Sequence, residues 1–164
     1  MALGPHAESE AEVLEHHELK GTVGTRIILT VVTPRGPVVD KTVDEVVAPG
    51  AEGEMGVLPG HVPFLTALKA GVLLLRDGSA RSYHAVGKGF LEVGAGGVCR
   101  ILVDDAQAPE DIDAAAVKAE EVELQEQLKK AAGDHGNAES SSLLLAKLAW
   151  AQARLAAVAA SQKY

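Results

Sequence analysis

The sequence predicts an α+β fold, with a β-sandwich or barrel followed by an antiparallel hairpin of two helices. Short β-branched runs, separated by glycine, proline or aspartate, recur between residues 26 and 105. After residue 109 the glycines thin out and apolar residues recur at helical spacing. Residues 1–25 are polar and acidic. We therefore divide the chain into a disordered acidic extension (1–25), a β-sandwich domain (26–106) and a helical hairpin domain (107–164).

The β-sandwich domain is predicted from five short runs and two turns. The runs are residues 27–33, 42–48, 71–75, 81–85 and 98–103. Asp77-Gly78 favours a tight hairpin turn, because both residue types tolerate positive φ angles, and Gly94 to Gly97 form a second turn. Cys99 lies within a run between apolar residues, which predicts an inert buried thiol. Closely spaced short strands favour a sandwich or barrel over a parallel sheet.

The helical domain is predicted as two arms around a polar break at residues 133–137. The first helix should begin at Pro109 and run to Ala132, with acidic residues at its positive end. The second should cover residues 141–161 and take its N-cap from the serines at 140–142. Its heptad-like seam consists of Leu144, Leu148, Ala151, Leu155 and Val158. Alanine contacts bury little apolar area, at roughly 25 cal/mol per Å², so we expect a marginally stable hairpin that can exchange partners.

The bulk composition excludes several classes of function. A formal net charge of −8 argues against nucleic acid as a partner and against adsorption on an anionic membrane. We see no apolar stretch approaching the roughly 18–20 residues that span a bilayer. The N-terminus resembles neither a secretory signal nor a mitochondrial transit peptide. We therefore expect a cytosolic protein, or one that reaches a membrane only through another protein.

No residue pattern indicates a catalytic or metal site. A phosphate-binding loop and a zinc-protease pattern are absent from the sequence. Asp104-Asp105 lacks spaced partner carboxylates and more simply ends the last strand.

Residues 48–68 form an unusual segment, because three prolines and four glycines fix an irregular path between two strands. Glu54 and His61, set inside this segment, are candidate recognition residues. The alternative is that they make loop-internal hydrogen bonds or cap a helix.

Five segments, in order, resemble the epsilon subunits of F-type ATP synthases, the counterparts of mitochondrial delta subunits. They are residues 29–34 (LTVVTP), 52–63 (EGEMGVLPGHVP), 87–93 (GKGFLEV), 101–106 (ILVDDA) and 151–155 (AQARL). The resemblance implies a flattened ten-stranded sandwich followed by two helices. It also implies a non-catalytic rotor subunit that binds the gamma subunit and the c-ring, on the cytoplasmic face of the bacterial plasma membrane. Glu54 and His61 match family residues near the polar loops of that ring.

The resemblance also implies regulation by the helical pair. In bacterial members the pair docks on the sandwich, or extends along gamma toward the catalytic alpha/beta hexamer and blocks ATP hydrolysis. Some members hold the docked form by binding ATP through an Ile/Leu-Asp-x-x-Arg-Ala motif. Here Ile112 and Asp113 match, but Ala116 replaces the arginine. Arg154 matches a family arginine, whereas Trp150 stands where a second basic residue often lies. We therefore expect weak or absent ATP binding and no other cofactor.

Two other functions remain open from the residues alone. One is a stand-alone β-sandwich module that binds a ligand or a partner. The other is a small hydrolase, which is disfavoured because the sequence offers no catalytic triad or metal set. Tight binding to gamma would distinguish the rotor subunit from the stand-alone module.

Overall fold

The computed structural model of the chain describes residues 25–133 and 138–163. The predicted acidic extension lies outside the described residues, apart from Thr25. Most of the predicted break between the helices also lies outside them. The described residues form ten strands and two α-helices. The strands are β1 (Ile27–Thr33), β2 (Gly36–Val43), β3 (Glu45–Gly50), β4 (Gly53–Val57), β5 (Phe64–Leu68), β6 (Gly71–Asp77), β7 (Ala80–Val86), β8 (Gly89–Val93), β9 (Val98–Val103) and β10 (Ala106–Gln107). The helices are α1 (Ala114–Gly133) and α2 (Ala138–Gln162).

The strands form one sheet that folds over into two layers, as the sequence predicted. Its order is β10-β7-β6-β3-β5-β8-β9-β1-β2, with β4 paired to β3. The layers join where β3 meets β5 through the single pair Gly50↔Leu68. Between the layers lies an aliphatic core in which Leu29, Leu73 and Ile101 are fully buried. The ten-stranded sandwich followed by two helices confirms the predicted fold class.

The strand predictions succeeded where a run is fully paired. The bounds of β1 and β9 are as expected, and the runs at 71–75 and 81–85 lie within β6 and β7. The run at 42–48 was wrong as a single strand. The chain passes from one layer to the other at Asp44, since Val43 pairs with β1 whereas Glu45 pairs with β6. Residues 48–68 are not one irregular path, because they contain the end of β3 and all of β4 and β5.

Both predicted turns and the buried thiol are confirmed. Asp77 pairs with Ala80, and between them Gly78 has a φ of 60°. A short 3-10 turn, Ala95–Gly97, joins β8 to β9, with Gly96 at a φ of 76°. Cys99 is fully buried, and desolvation raises the pKa of its thiol to about 12. The thiol is therefore protonated and inert at neutral pH.

The helix boundaries differ from the prediction. Pro109–Asp111 form a separate 3-10 turn, and Ile112 is extended. The helix starts at Ala114, where Asp113 Oδ1 accepts a hydrogen bond from the Ala116 amide at 3.2 Å. The helix α2 starts at Ala138, so the serines at 140–142 lie inside it and do not cap it. An aspartate cap explains the first shift, because its side chain satisfies an amide that a helix leaves free.

The predicted seam between the helices is present at Leu144, Leu148, Ala151 and Leu155, but Val158 does not belong to the interhelical cluster. A buried cluster joins the two helices and contains Val117, Leu124, Ala151, Leu144, Leu148 and Leu155. The other side of α2 packs on β6 and β7. Ala153 and Ala157 are buried without belonging to the interhelical cluster. The helices are therefore folded back on the sandwich, with small side chains at close-packed positions.

One expectation about membrane spans needs correction. By length and composition, α2 is apolar enough to cross a membrane. Alanine and leucine dominate it, although a few charged residues interrupt its aliphatic runs. In the structure α2 packs against α1 and the sheet, and a single such helix is weak evidence for a span.

Candidate interaction surfaces

The loop between β4 and β5 holds His61 by its own backbone. Gly60 turns the chain with a φ of 81°. The His61 amide donates to Leu58 O at 3.1 Å, and its Nδ1 lies 2.8 Å from Val62 O. The ring also contacts Phe64, with 5.6 Å between centroids. The loop-internal hydrogen bond considered from the sequence is thus present for His61, which fixes the direction of the imidazole.

Glu54 lies on a strand and not in the loop. It sits in β4 directly opposite Pro49 of β3, close to the tip of that hairpin. Its side chain is exposed, and it forms no hydrogen bond or ion pair with other described residues. No such bond joins Glu54 to His61 either. Glu54 therefore presents a free carboxylate, while His61 is oriented independently by its own loop.

Large apolar side chains are exposed on the outer face of the second layer. We call Leu65, Phe90 and Leu102 the outer strip; their exposures are 66%, 56% and 51%. Phe90 pairs with Ala67 of β5 on one side and Leu102 of β9 on the other. Phe90 and Leu102 are thus direct cross-strand partners, whereas Leu65 stands opposite Glu92 and lies diagonally from Phe90 on the same face of the sheet. An exposed apolar patch of this kind marks an interaction site.

The apolar surface continues into the loop beside the strip. Leu58 and Val62 are 57% and 69% exposed. Val62 precedes Leu65 of the strip by three residues. The glycine and proline content of this loop marks it in the sequence, whereas the strip was not predicted. The available signal was the alternation in β8, where Phe90 and Glu92 are exposed and Leu91 and Val93 are buried. Alternation separates the two faces of a strand without showing which is covered.

The structure also places the four positions matched to an ATP-binding motif. Ile112 packs against the interhelical cluster. Asp113 caps α1, and Ala116 is an exposed position in its first turn. Arg154 lies on α2, where its Nη2 bonds Glu120 Oε2 at 2.9 Å. The Arg154 guanidinium carbon lies 5.3 Å from the Trp150 ring centroid. The two matched polar side chains are thus both engaged within the chain.

The described residues offer no assembled chemical centre. Over residues 25–133 and 138–163, no group of three or more His, Cys, Asp or Glu side chains could hold a metal ion. Asp105 is bonded to Arg35 at 2.5 Å and accepts from the Ala106 amide. The main features of the described surface are therefore its apolar and charged contact areas.

Comparisons with known proteins agree on one family. The family model for the β-sandwich domain of the ATP synthase delta/epsilon chain matches residues 26–109. An ATP synthase epsilon chain of Magnetococcus marinus is 39% identical over 136 residues, covering 83% of this chain and 96% of its own length. One of Anoxybacillus flavithermus is 46% identical over 93 residues, covering 57% of this chain and 69% of its own.

A solved structure shares the fold. It is a chain within the Euglena gracilis mitochondrial ATP synthase, in a structure of OSCP, F1 and the c-ring. The TM-score is 0.70 at 22% identity, covering 85% of this chain and 83% of that one.

Proposed function

This chain belongs to the delta/epsilon family of ATP synthase subunits, and we propose that it is a non-catalytic rotor component coupling the gamma subunit to the c-ring. ATP synthesis and proton transport are the processes in which the family takes part. Membership over the whole sandwich favours this function over a stand-alone binding module. It also favours an accessory role over an active site of its own.

The outer strip is the observation that carries the proposal. Leu65, Phe90 and Leu102 expose apolar side chains from three adjacent strands of a rigid sheet. Burying such side chains against a partner removes apolar surface from water, at roughly 25 cal/mol per Å². We assign this face to gamma. A sheet face suits a long-lived contact, because its side chains need little ordering when they bind.

The end of the sandwich near the β4–β5 loop is assigned to the c-ring. Glu54 offers a free carboxylate, which can accept charge-assisted hydrogen bonds from basic residues. His61 offers an imidazole oriented by the Val62 carbonyl. Leu58 and Val62 add exposed apolar contacts beside them. This combination fits a polar loop of a partner better than it fits lipid.

The gamma assignment is tested by charge substitution in the strip. Phe90→Glu should abolish recovery of the chain with gamma when an epsilon-depleted enzyme is reconstituted, because a carboxylate would be buried unpaired. Val122→Glu is the matched control, since Val122 is 46% exposed but lies on α1. Equal recovery of the two variants would contradict the assignment of this face.

The c-ring assignment is tested separately through coupling. Glu54→Gln should leave gamma binding intact and lower the ATP-driven proton pumping obtained per ATP hydrolysed. Glu126→Gln, which changes an exposed carboxylate on α1, should alter neither quantity. If Glu54→Gln pumps as the wild type does, this carboxylate is not part of the ring contact.

A second role, inhibition of ATP hydrolysis, is favoured by how the helices dock. The helix α2 meets β6 and β7 with small side chains such as Ala153 and Ala157. Leu143 and Leu145 near its start remain 58% and 56% exposed. A helix that docks through small side chains and has exposed apolar residues near its start suits a two-state element that can extend toward the catalytic alpha/beta hexamer.

The inhibitory role has its own experiment. A chain lacking residues 109–164, added to the epsilon-depleted enzyme, should restore gamma binding but give a higher ATPase rate than the full chain. An unchanged rate would reject the inhibitory role and leave the coupling role standing.

The proposed location follows from the complex. We place the chain on the cytoplasmic face of a bacterial plasma membrane, held there by gamma and the c-ring. The support is that the relatives in Magnetococcus and Anoxybacillus are bacterial ATP synthase chains. Phe90→Glu should therefore shift the chain from the membrane fraction to the soluble fraction of a cell lysate.

A further inference from the structure

Two charged residues lie beside the apolar residues on the outer face of the second layer. Phe90 of β8, Leu102 of β9 and Val32 of β1 are partners across three adjacent strands. Two residues further along β8 and β9, Glu92 stands directly opposite Arg100. Because side chains alternate between the two faces of a strand, residues two apart share a face and lie about 7 Å apart. We call Glu92 and Arg100 the charged pair.

The charged pair belongs to the same contact area as the outer strip. Glu92 lies next to Phe90 along β8 and opposite Leu65 of β5. Arg100 lies next to Leu102 along β9. A partner that covers the three apolar side chains of the strip must therefore also cover Glu92 and approach Arg100. Neither charge lies at a distance from the apolar contact.

Both charges are free in the isolated chain. Glu92 and Arg100 are exposed, and among the described residues neither forms a hydrogen bond or an ion pair, even with the other. Cross-strand pairing elsewhere does produce such a bond. Glu45 and Arg76 are also direct antiparallel partners, and there Nη1 lies 3.0 Å from Oε2. The two charges of the outer face are therefore available to a partner.

Covering a free charge costs free energy unless the partner supplies an opposite one. A carboxylate or a guanidinium that loses its water needs a new ion pair or hydrogen bond. Apolar contact is non-directional, so an apolar strip by itself tolerates several alignments of its partner. Complementary charges discriminate between alignments, because a misaligned partner brings like charges together. The charged pair can thus fix the register of the contact.

We propose that the gamma surface covering the outer strip carries a cation that faces Glu92 and a carboxylate that faces Arg100. These two contacts fix the alignment of gamma on the sheet, while the apolar side chains supply most of the buried area. The inference rests on the proposed assignment of the outer strip to gamma. It adds the charge pattern that the partner must present and the two residues that read it.

Exchange of the two charges is the main test. The double variant Glu92→Arg, Arg100→Glu keeps the net charge and keeps the two residues complementary to each other. It places like charges opposite gamma at both positions. The Kd of the full-length chain for the epsilon-depleted enzyme should rise roughly a hundredfold, and that of either single reversal roughly tenfold. An unchanged Kd of the double variant would overturn the proposal, since the two residues would then serve only each other.

A matched exchange on α1 is the control. Glu126 and Lys130 are exposed, and the double variant Glu126→Lys, Lys130→Glu also keeps the net charge. Its Kd should stay within about twofold of the wild type, because a change below that corresponds to less than about 0.4 kcal/mol. Unchanged amide signals in a ¹H–¹⁵N spectrum verify that both exchange variants are folded.

A neutral variant separates charge from shape. Glu92→Gln, Arg100→Gln removes the attraction without adding repulsion, so its Kd should lie between those of the wild type and of the exchange variant. Equal Kd values for the neutral and exchange variants would show that side-chain shape decides binding, and would overturn the proposal.

Self-association is the other way in which this face can be covered. A twofold contact would set Glu92 of one copy against Arg100 of the other, and the exchange would preserve it. Sedimentation should show the wild type and the exchange variant as monomers. A dimer in both would overturn the proposal in favour of a second copy of the chain.

Phe90→Glu distinguishes the two levels of the argument. If Phe90→Glu abolishes binding and the charge exchange does not weaken it, only the charge pattern is wrong. If Phe90→Glu binds as the wild type does, gamma does not cover this face, and the assignment of the outer strip fails together with the charge pattern.

Discussion

Arg154 on α2 and Glu120 on α1 form an ion pair, with 2.9 Å between Nη2 and Oε2. The arginine side chain is only 13% exposed, whereas the glutamate is 44% exposed. The guanidinium also lies over the Trp150 ring. The cation that the family resemblance assigned to nucleotide binding is thus used to join the two helices. This arrangement has consequences for stability and for ATP affinity.

Removal of the glutamate should loosen the helix pair. Glu120→Gln leaves the mostly buried Arg154 without a carboxylate, and we expect the helices to lose about 1 kcal/mol of stability. Faster amide hydrogen exchange in α2, with unchanged exchange in β1 and β9, would be the signature. Glu126→Gln serves as the control. Equal exchange in the two variants would show that the pair contributes nothing.

ATP should bind weakly or not at all. Ala116 and Trp150 remove two cations from the motif, and each charge-assisted hydrogen bond contributes about 1.5–3 kcal/mol. Arg154 is in addition already paired with Glu120. In a calorimetric titration we expect no micromolar binding by the wild type, and at least tenfold tighter binding by the double variant Ala116→Arg, Trp150→Arg. Micromolar affinity of the wild type would contradict this prediction.

Two glycines should respond in opposite ways to alanine. A Cβ at Gly89 would lie 1.9 Å from Leu102 O, a backbone atom of the neighbouring strand that cannot move aside. Gly89→Ala should therefore lower the free energy of unfolding by about 3 kcal/mol. Gly133 ends α1 and has open space around it. Gly133→Ala should be neutral, or stabilising by up to about 1 kcal/mol. Urea unfolding measures both changes.

His84 should make the sandwich less stable in mild acid. Burial lowers its pKa, nearby Lys41 lowers it further, and Glu110 partly opposes this. The folded state therefore takes up a proton less readily than the unfolded chain. The stabilisation associated with neutral His84 is fully present above a pH of about 6.5. As the pH falls below that value, the free energy of unfolding declines with a slope of at most about 1.4 kcal/mol per pH unit.

The variant His84→Gln isolates that contribution. Between pH 7 and pH 5 it should lose less stability than the wild type in urea unfolding. Lys41→Met should reduce the loss in part, because it removes the second cause of the shift. If His84→Gln shows the same pH dependence as the wild type, other groups are responsible for it.

The sequence was most informative where the signal is local. The bounds of β1 and β9, the turn at Gly78 and the seam through Leu148 and Ala151 were predicted from neighbouring residues alone. The error at residues 42–48 has the same origin. A β-branched run signals extended backbone, but it does not show that Val43 and Glu45 pair in different layers.

The candidate surfaces were predictable only in part. Glu54 and His61 were identified by the unusual glycine and proline content around them, although the structure puts Glu54 on a strand. Phe90 was not among the predicted recognition residues, and its exposure became apparent only with the folded sheet. A side chain's burial depends on which distant segment packs on it, and the sequence of a single strand does not identify that segment.

By itself the sequence determined the fold class, the positions of most strands with a clear β-branched run, and the family resemblance. These features depend on backbone preference and side-chain periodicity, which act over a few residues. Only the tertiary structure decided which face of the second layer stays uncovered and that Arg154 pairs with Glu120. Those relationships join residues tens of positions apart, and they exist only when packing of the core brings the layers and helices together.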